Sequence, residues 1–190
     1  MSTMREQIIE TTSTLLEAQG YHATGLNQIL AESGAPKGSL YYYFPQGKEE
    51  LTAVAIERSG KLTAERIRAG LATIEDASEA IRSFVHTIAY HVEASTFSAG
   101  GPLTIVSLET VNSSERLNTA CRNAYELLQT AFQEKLVMNG MPEARANQLA
   151  TFIISAIEGG TILSRVQHSG NPLREVAEEL GMFLKSVDKA

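Results

Sequence analysis

The chain has one cysteine, Cys121, among its 190 residues. No disulfide can form within it, and Cys121 lacks the clustered cysteine and histidine partners of a structural zinc site. This scarcity fits a reducing compartment. The opening residues Met1-Ser2-Thr3-Met4-Arg5-Glu6 show no apolar run behind a basic start, and no apolar stretch approaches the length that spans a bilayer. A cytoplasmic protein is therefore expected. Sustained period-2 alternation and internal repeats are also missing, which argues against a sheet or a solenoid.

Positive charge is short as well. The formal net charge is -6, from 16 Lys and Arg against 22 Asp and Glu. Cations supply most of the non-specific attraction to a phosphate backbone. Residues 1–50 hold only Arg5, Lys37 and Lys48, against Glu6, Glu10, Glu17, Glu32, Glu49 and Glu50. Any nucleic-acid binding by this segment has to rest on placed contacts, not bulk charge. Lys37 and Lys48 flank one short aromatic segment, and most of the glutamates fall on other expected helices.

What is present is helical patterning throughout, with 43% hydrophobic residues, enough to bury one or two cores. A first helix is expected over about Met4 to Gln19. Thr3 and Glu6 stand at capping-box spacing, Ile8, Leu15 and Leu16 form its apolar face, and Gly20 stops it. A second helix starts after Thr24 as N-cap, buries Leu26, Ile29 and Leu30, and ends at Gly34. A third spans about Lys37 to Phe44, with Pro36 in its first turn. A connecting helix follows over Glu49 to Leu71. Further helices are expected at Ala77 to Ala94, Pro102 to Val111, Glu115 to Met138, Glu143 to His168 and Pro172 to Ser186. Their breaks are Ser98-Ala99-Gly100-Gly101, Asn112-Ser113-Ser114, Asn139-Gly140-Met141-Pro142 and Ser169-Gly170-Asn171. The fold class is all-α, with a three-helix module over residues 1–47 and a larger helical domain over 48–190.

Leu26 to Ser33, Gly34 to Pro36 and Lys37 to Phe44 fill the three parts of a helix-turn-helix, whose second helix enters the major groove of DNA. Leu40 and Phe44, four apart, can pack inward with Ile29 and Leu30. Lys37, Gly38, Ser39, Tyr41 and Tyr42 then face outward. Exposed tyrosines can donate to phosphates or pack on a thymine methyl, and a lysine reaches guanine or phosphate. Gly38 lowers helix propensity by about 1 kcal/mol, which suggests close approach to another surface. Read residue by residue, the same tyrosines could simply cover a core.

The whole string decides more. Gly34-Ala35-Pro36-Lys37-Gly38-Ser39-Leu40-Tyr41-Tyr42-Tyr43-Phe44, then Lys48-Glu49-Glu50-Leu51, closely resembles the signature of the TetR family of regulators. Gly20-Tyr21-His22-Ala23-Thr24 and Ile29 stand at matching offsets. The chain departs from the family pattern at Pro36 (commonly Ser), Tyr43 (often His), Leu30 (often Ala) and in the longer Gln46-Gly47 link. That link, together with Gly20 to Ser39 and Ile157-Glu158-Gly159-Gly160, is similar to the LmrA/YxaF-like branch.

The resemblance implies a homodimeric, ligand-responsive repressor of double-stranded operator DNA. Thr24, Lys37, Gly38, Ser39, Tyr41, Tyr42 and Lys48 are its DNA-contacting set. It also implies a C-terminal domain that dimerises and encloses a small effector, whose binding shifts the dimer away from the DNA-competent geometry. Glu143 to His168, with mid-helix Gly159-Gly160, and Pro172 to Ser186 are the expected dimer helices. The residues alone leave close packing across a dimer and a kinked intrachain helix about even. For a small apolar or aromatic effector, the candidates among the middle helices are Phe84, His91, Ser107, Tyr125 and Phe152.

Catalysis fails on spacing. Before Lys48 and Glu49, Tyr42 stands in the first glycine position of a phosphate loop, and Glu49 replaces its Ser or Thr. His86 and His91 lie five apart, off the i, i+4 face of zinc helices. No Gly-x-Ser-x-Gly elbow occurs. The expectation is a regulator without enzymatic activity, metal or cofactor. An all-α ligand carrier that does not bind DNA is the alternative that the acidic N-terminal segment keeps open.

Overall fold

The computed structural model describes residues 3–97 and 102–187. The expected break at Ser98-Ala99-Gly100-Gly101 lies outside them. Among the described residues all regular structure is helical. The elements are α1 (Met4–Ala23), α2 (Leu26–Ser33), α3 (Lys37–Tyr43), α4 (Lys48–Leu71), α5 (Ala77–Ala94), α6 (Pro102–Thr110), α7 (Glu115–Met138), α8 (Glu143–Gln167) and α9 (Asn171–Val187). They form two compact units: Met1–Lys61 with Gly101–Tyr125, and Leu62–Gly100 with Glu126–Ala190.

In the first unit, α1 opens with a reciprocal capping box. Thr3 Oγ1 accepts from the Glu6 N–H at 3.2 Å, and a Glu6 carboxylate oxygen accepts from the Thr3 N–H at 2.7 Å. Ile8, Ile9, Leu15 and Leu16 turn into the core, with Ile29, Leu40, Phe44, Leu51, Ile56 and Leu117. Gly20 breaks α1 without ending it: at φ 78°, ψ -177° the residue is non-helical, and one more turn runs to Ala23. Thr24 is the C-cap of α1, whereas the sequence suggested it as N-cap of α2. That position belongs to Gly25, which offers no side-chain bond. Gly34 ends α2 in the left-handed region (φ 67°), its N–H bonded to the Leu30 carbonyl. Pro36 sits one residue ahead of the expected first turn, as the extended N-cap of α3 (ψ 144°).

In the second unit, Asp76 caps α5 by accepting from the Glu79 N–H at 2.7 Å. Phe84 meets Phe132 edge to face at 6.0 Å between centroids, and the Gly70 backbone lies against its ring. Lys135 is 8% exposed and donates to the carbonyls of Ile74 and Glu75 at 2.6 and 2.8 Å, tying the α4–α5 turn to α7. Helices α8 and α9 pack through Gly160, where an added Cβ would stand 3.1 Å from Leu173 and 3.2 Å from Val176. The Ser164 hydroxyl accepts from the Leu173 N–H. On the surface Arg174 pairs with Glu93, and Arg82 with Glu79 and Glu178. The hydrogen bond from Arg174 holds the Glu93 carboxyl below the usual carboxylate range.

One expectation needs correction. Helix α8 is long and apolar enough, by length and composition, to cross a membrane. The reason lies in two apolar faces. Ile153 and Ile154 are buried within the unit, whereas Phe152, Ile162, Leu163 and Val166 stand exposed.

Candidate nucleic-acid interface

The turn between α2 and α3 is held by the Ala35 N–H, bonded to the Leu30 carbonyl at 3.2 Å. Behind α3, Leu40 and Phe44 are buried as their i, i+4 spacing suggests, and the Arg5 guanidinium covers the Phe44 ring at 5.4 Å. The three tyrosines part company. Tyr43 is half-buried between Phe44 and Tyr42, meeting the Tyr42 ring edge to face at 5.0 Å between centroids. Tyr41 and Tyr42 are 62% and 80% exposed. A core-covering role therefore fits Tyr43 alone.

Lys37 and Gly38 are exposed beside them, and Ser39 is half-buried. A Cβ added at Gly38 would meet nothing within 4 Å. Packing within the chain does not demand the glycine, so the space is free for an outside surface. Lys37, Gly38, Tyr41 and Tyr42 make a short face with one cation, a bare stretch of backbone and two phenols. Such a face can meet a phosphate and base edges together.

Two expected DNA contacts are turned elsewhere. Thr24 is fully buried, and its hydroxyl donates to the Gly20 carbonyl at 2.6 Å, which leaves no hydroxyl surface for a phosphate. Lys48 directs its ammonium to the Tyr21 carbonyl at 2.6 Å and over the Tyr21 ring at 4.1 Å from the centroid. Partial burial lowers its pKa, and the charge of Glu109 opposes that shift. The longer link before Lys48 is pinned by Arg116, which donates to the Gln46 side chain, and by Glu50, which accepts from the Gln46 N–H at 2.9 Å. Sequence reasoning missed Tyr21 and Glu109, because their contact joins positions 88 apart and leaves no local pattern.

The effector candidates are spread over both units. Ser107 and Tyr125 lie in the first unit and Phe84, His91 and Phe152 in the second. The Ser107 hydroxyl is bonded to the Leu103 and Thr104 carbonyls within α6, and Tyr125 is half-buried. Phe84 packs on Phe132, Phe152 on Phe183, and His91 is exposed beside Tyr90. Cys121 is buried, and burial pushes its thiol up to about 11. Among the described residues, no three His, Cys, Asp or Glu side chains are grouped to hold a metal ion.

Comparison with known proteins bears on the whole chain. Residues 8–55 match the bacterial regulatory proteins of the tetR family, and residues 77–179 match the C-terminal domain of LmrA/YxaF-like transcriptional regulators. The HTH-type transcriptional regulator YxaF of Bacillus subtilis (strain 168) is 42% identical over 181 residues, 95% of either chain. LmrA of the same organism, also an HTH-type transcriptional regulator, is 36% identical over 95% of this chain and 96% of its own. Among solved structures, the regulatory protein TetR from Rhodobacter sphaeroides superposes with a TM-score of 0.83 at 18% identity, covering 95% of this chain and 98% of that one. At that identity the likeness shows the fold alone. The helix-turn-helix, the signature string around α3 and the full-length relatives agree: the chain belongs to the TetR family of transcriptional regulators, in its LmrA/YxaF-like branch.

Proposed function

We propose that the protein is a homodimeric repressor that sets α3 of each copy into the major groove of a two-fold operator and releases it when a small apolar or aromatic molecule binds. The observation that carries this reading is the outward face of α3, where Lys37, Gly38, Tyr41 and Tyr42 are exposed side by side. With so few cations near it, the contact depends on geometry more than on counterion release, and its salt slope is modest. Ser39 and the amides at the start of α3 add short-range donors.

The second copy is assigned to the outer faces of α8 and α9. Phe152, Gly159, Ile162, Leu163 and Val166, at i, i+7, i+10, i+11 and i+14, share one face of α8, and Met182 and Phe183 on α9 are exposed too. Phe152 and Phe183 meet edge to face at 5.4 Å, joining the two helices into one apolar surface. An added Cβ at Gly159 would meet nothing within 4 Å. Phe152 thus fits the dimer face better than an effector site, and Phe84, His91, Ser107 and Tyr125 stay as effector candidates. Action on DNA in the cytoplasm completes the reading.

Selection of bound fragments from genomic DNA, repeated with candidate compounds, tests it. A palindromic site released by one compound is the expected result. Failure of the dimer to enrich any duplex would overturn the reading and favour a ligand carrier. Alanine at Lys37 and Tyr42 together should abolish operator binding with the dimer intact.

A further inference from the structure

Where Gly20 breaks α1, the turn that follows begins again with backbone donors the helix itself does not satisfy. Glu109 of α6 provides the acceptor. One oxygen of its carboxylate takes the Tyr21 N–H at 2.6 Å and the His22 N–H at 3.1 Å. From the other side, the Lys48 ammonium donates to the Tyr21 carbonyl and covers its ring. The backbone of Tyr21 is therefore held by an anion from α6 and by a cation from the first residue of α4. Gln19 extends the network, donating to the Ala23 carbonyl at 3.0 Å and to the Gln28 side chain of α2 at 2.8 Å. Gly20 is required twice: its φ of 78° disfavours a side chain, and a Cβ would stand 2.5 Å from a Glu109 oxygen and 2.8 Å from Ile105.

We infer that Glu109 is a positioning residue for DNA binding, which with Lys48 sets the angle at which α2 and α3 leave α1. Ser107, an effector candidate, precedes Glu109 by two residues on the same helix. Lys48 on this account serves DNA binding without touching a phosphate. The inference rests on α3 being the helix that contacts DNA.

The test starts from a duplex selected by the wild-type dimer. If the wild type selects none, the DNA-binding reading itself fails. Given a duplex, Glu109→Gln keeps the size of the side chain and removes its charge, and Lys48→Met removes the cation. Each should weaken operator binding about tenfold or more per folded dimer, as loss of charge-assisted bonds implies. The salt slope should stay as in the wild type. Renewed selection with Glu109→Gln should accept a wider range of half-site spacings, which loss of stability alone would not produce. Should Glu109→Gln fold poorly, Glu109→Asp keeps the charge and withdraws the oxygen. Faster amide exchange at Tyr21 and His22 with the same loosened spacing is then expected. Unchanged affinity and spacing in the folded Glu109 variant would overturn the inference. So would a fall in the salt slope of about one per lysine on Lys48→Met, the mark of a lost phosphate contact.

Discussion

The outer faces of α3 and α8 both hold large side chains in water, but of different chemistry. On α3 they are Tyr41 and Tyr42, whose rings end in hydroxyls. On α8 they are Phe152, Ile162, Leu163 and Val166, with no polar atom among their side chains. A phenol pairs an apolar ring with a polar end, so it can stand in water at less cost than a purely apolar side chain and still bind when covered. Aliphatic surface left in water costs roughly 25 cal/mol per Å². The α3 face therefore suits a contact that is made and broken, and the α8 face one that stays covered. A regulator needs both kinds: a dimer that persists, and a grip on DNA that does not.

The sharpest way to break this contrast is to make α8 resemble α3. Leu163→Glu with Val166→Glu should raise the dimer dissociation constant by at least about 100-fold, since charges buried without partners cost several kcal/mol. Sedimentation equilibrium should show monomers, and operator binding should be lost with the dimer. Intact dimers in the double variant would place the partner elsewhere. The reverse experiment acts on α3. Tyr42→Ala should lower operator affinity about tenfold, roughly 1.4 kcal/mol, while dimer mass stays constant. Tyr42→Phe, which keeps the ring and removes the hydroxyl, should cost less; equal losses in a fluorescence titration would assign the whole effect to the hydroxyl.

Gly38→Ala separates stability from recognition. The new methyl meets nothing in the chain, so thermal stability should hold or rise, by up to about 1 kcal/mol from helix propensity. Operator affinity should fall, because the methyl stands where DNA approaches. A variant that gains stability and keeps its affinity would exclude close approach at this point. The smallest effect is expected at Cys121. Its folded thiol titrates near 11, above the ordinary 9.0. The contribution of this group is fully present below pH about 9 and declines as pH rises from about 9 to about 11. At neutral pH thiolate is scarce, so alkylation of the folded protein should be slow and mild oxidant should leave operator binding unchanged. Rapid modification would mark Cys121 as reactive.

Local chemistry made much of the fold readable. Asp76 and the apolar spacing of Ile81, Val85, Ala89 and Val92 bound α5 at Ala77 and Ala94, where the sequence placed it. Ser114, whose hydroxyl accepts from the Leu117 N–H, does the same at the start of α7. Gly20 was legible as a break, but not that the helix resumes, because the carboxylate that receives the next turn comes from α6. Lys48 read as a DNA-contacting cation beside an aromatic segment, and only the folded chain shows Tyr21 beneath it. Tyr41, Tyr42 and Tyr43 are one residue type in a row, so their division between surface and core follows from the direction of α3 and not from composition. The effector candidates were chosen by residue type alone.

Gly159 and Gly160 are neighbours in sequence with separate tasks. Gly160 is fixed by the fold of its own chain, since Leu173 and Val176 already fill the space beside it, whereas a Cβ at Gly159 would meet no described residue within 4 Å. In the dimer proposed above, a substitution at Gly159 would therefore change which copy fits against α8 and leave the packing of α8 on α9 untouched. After gene duplication, one such change would keep two sister regulators from pairing with each other, each retaining its own core.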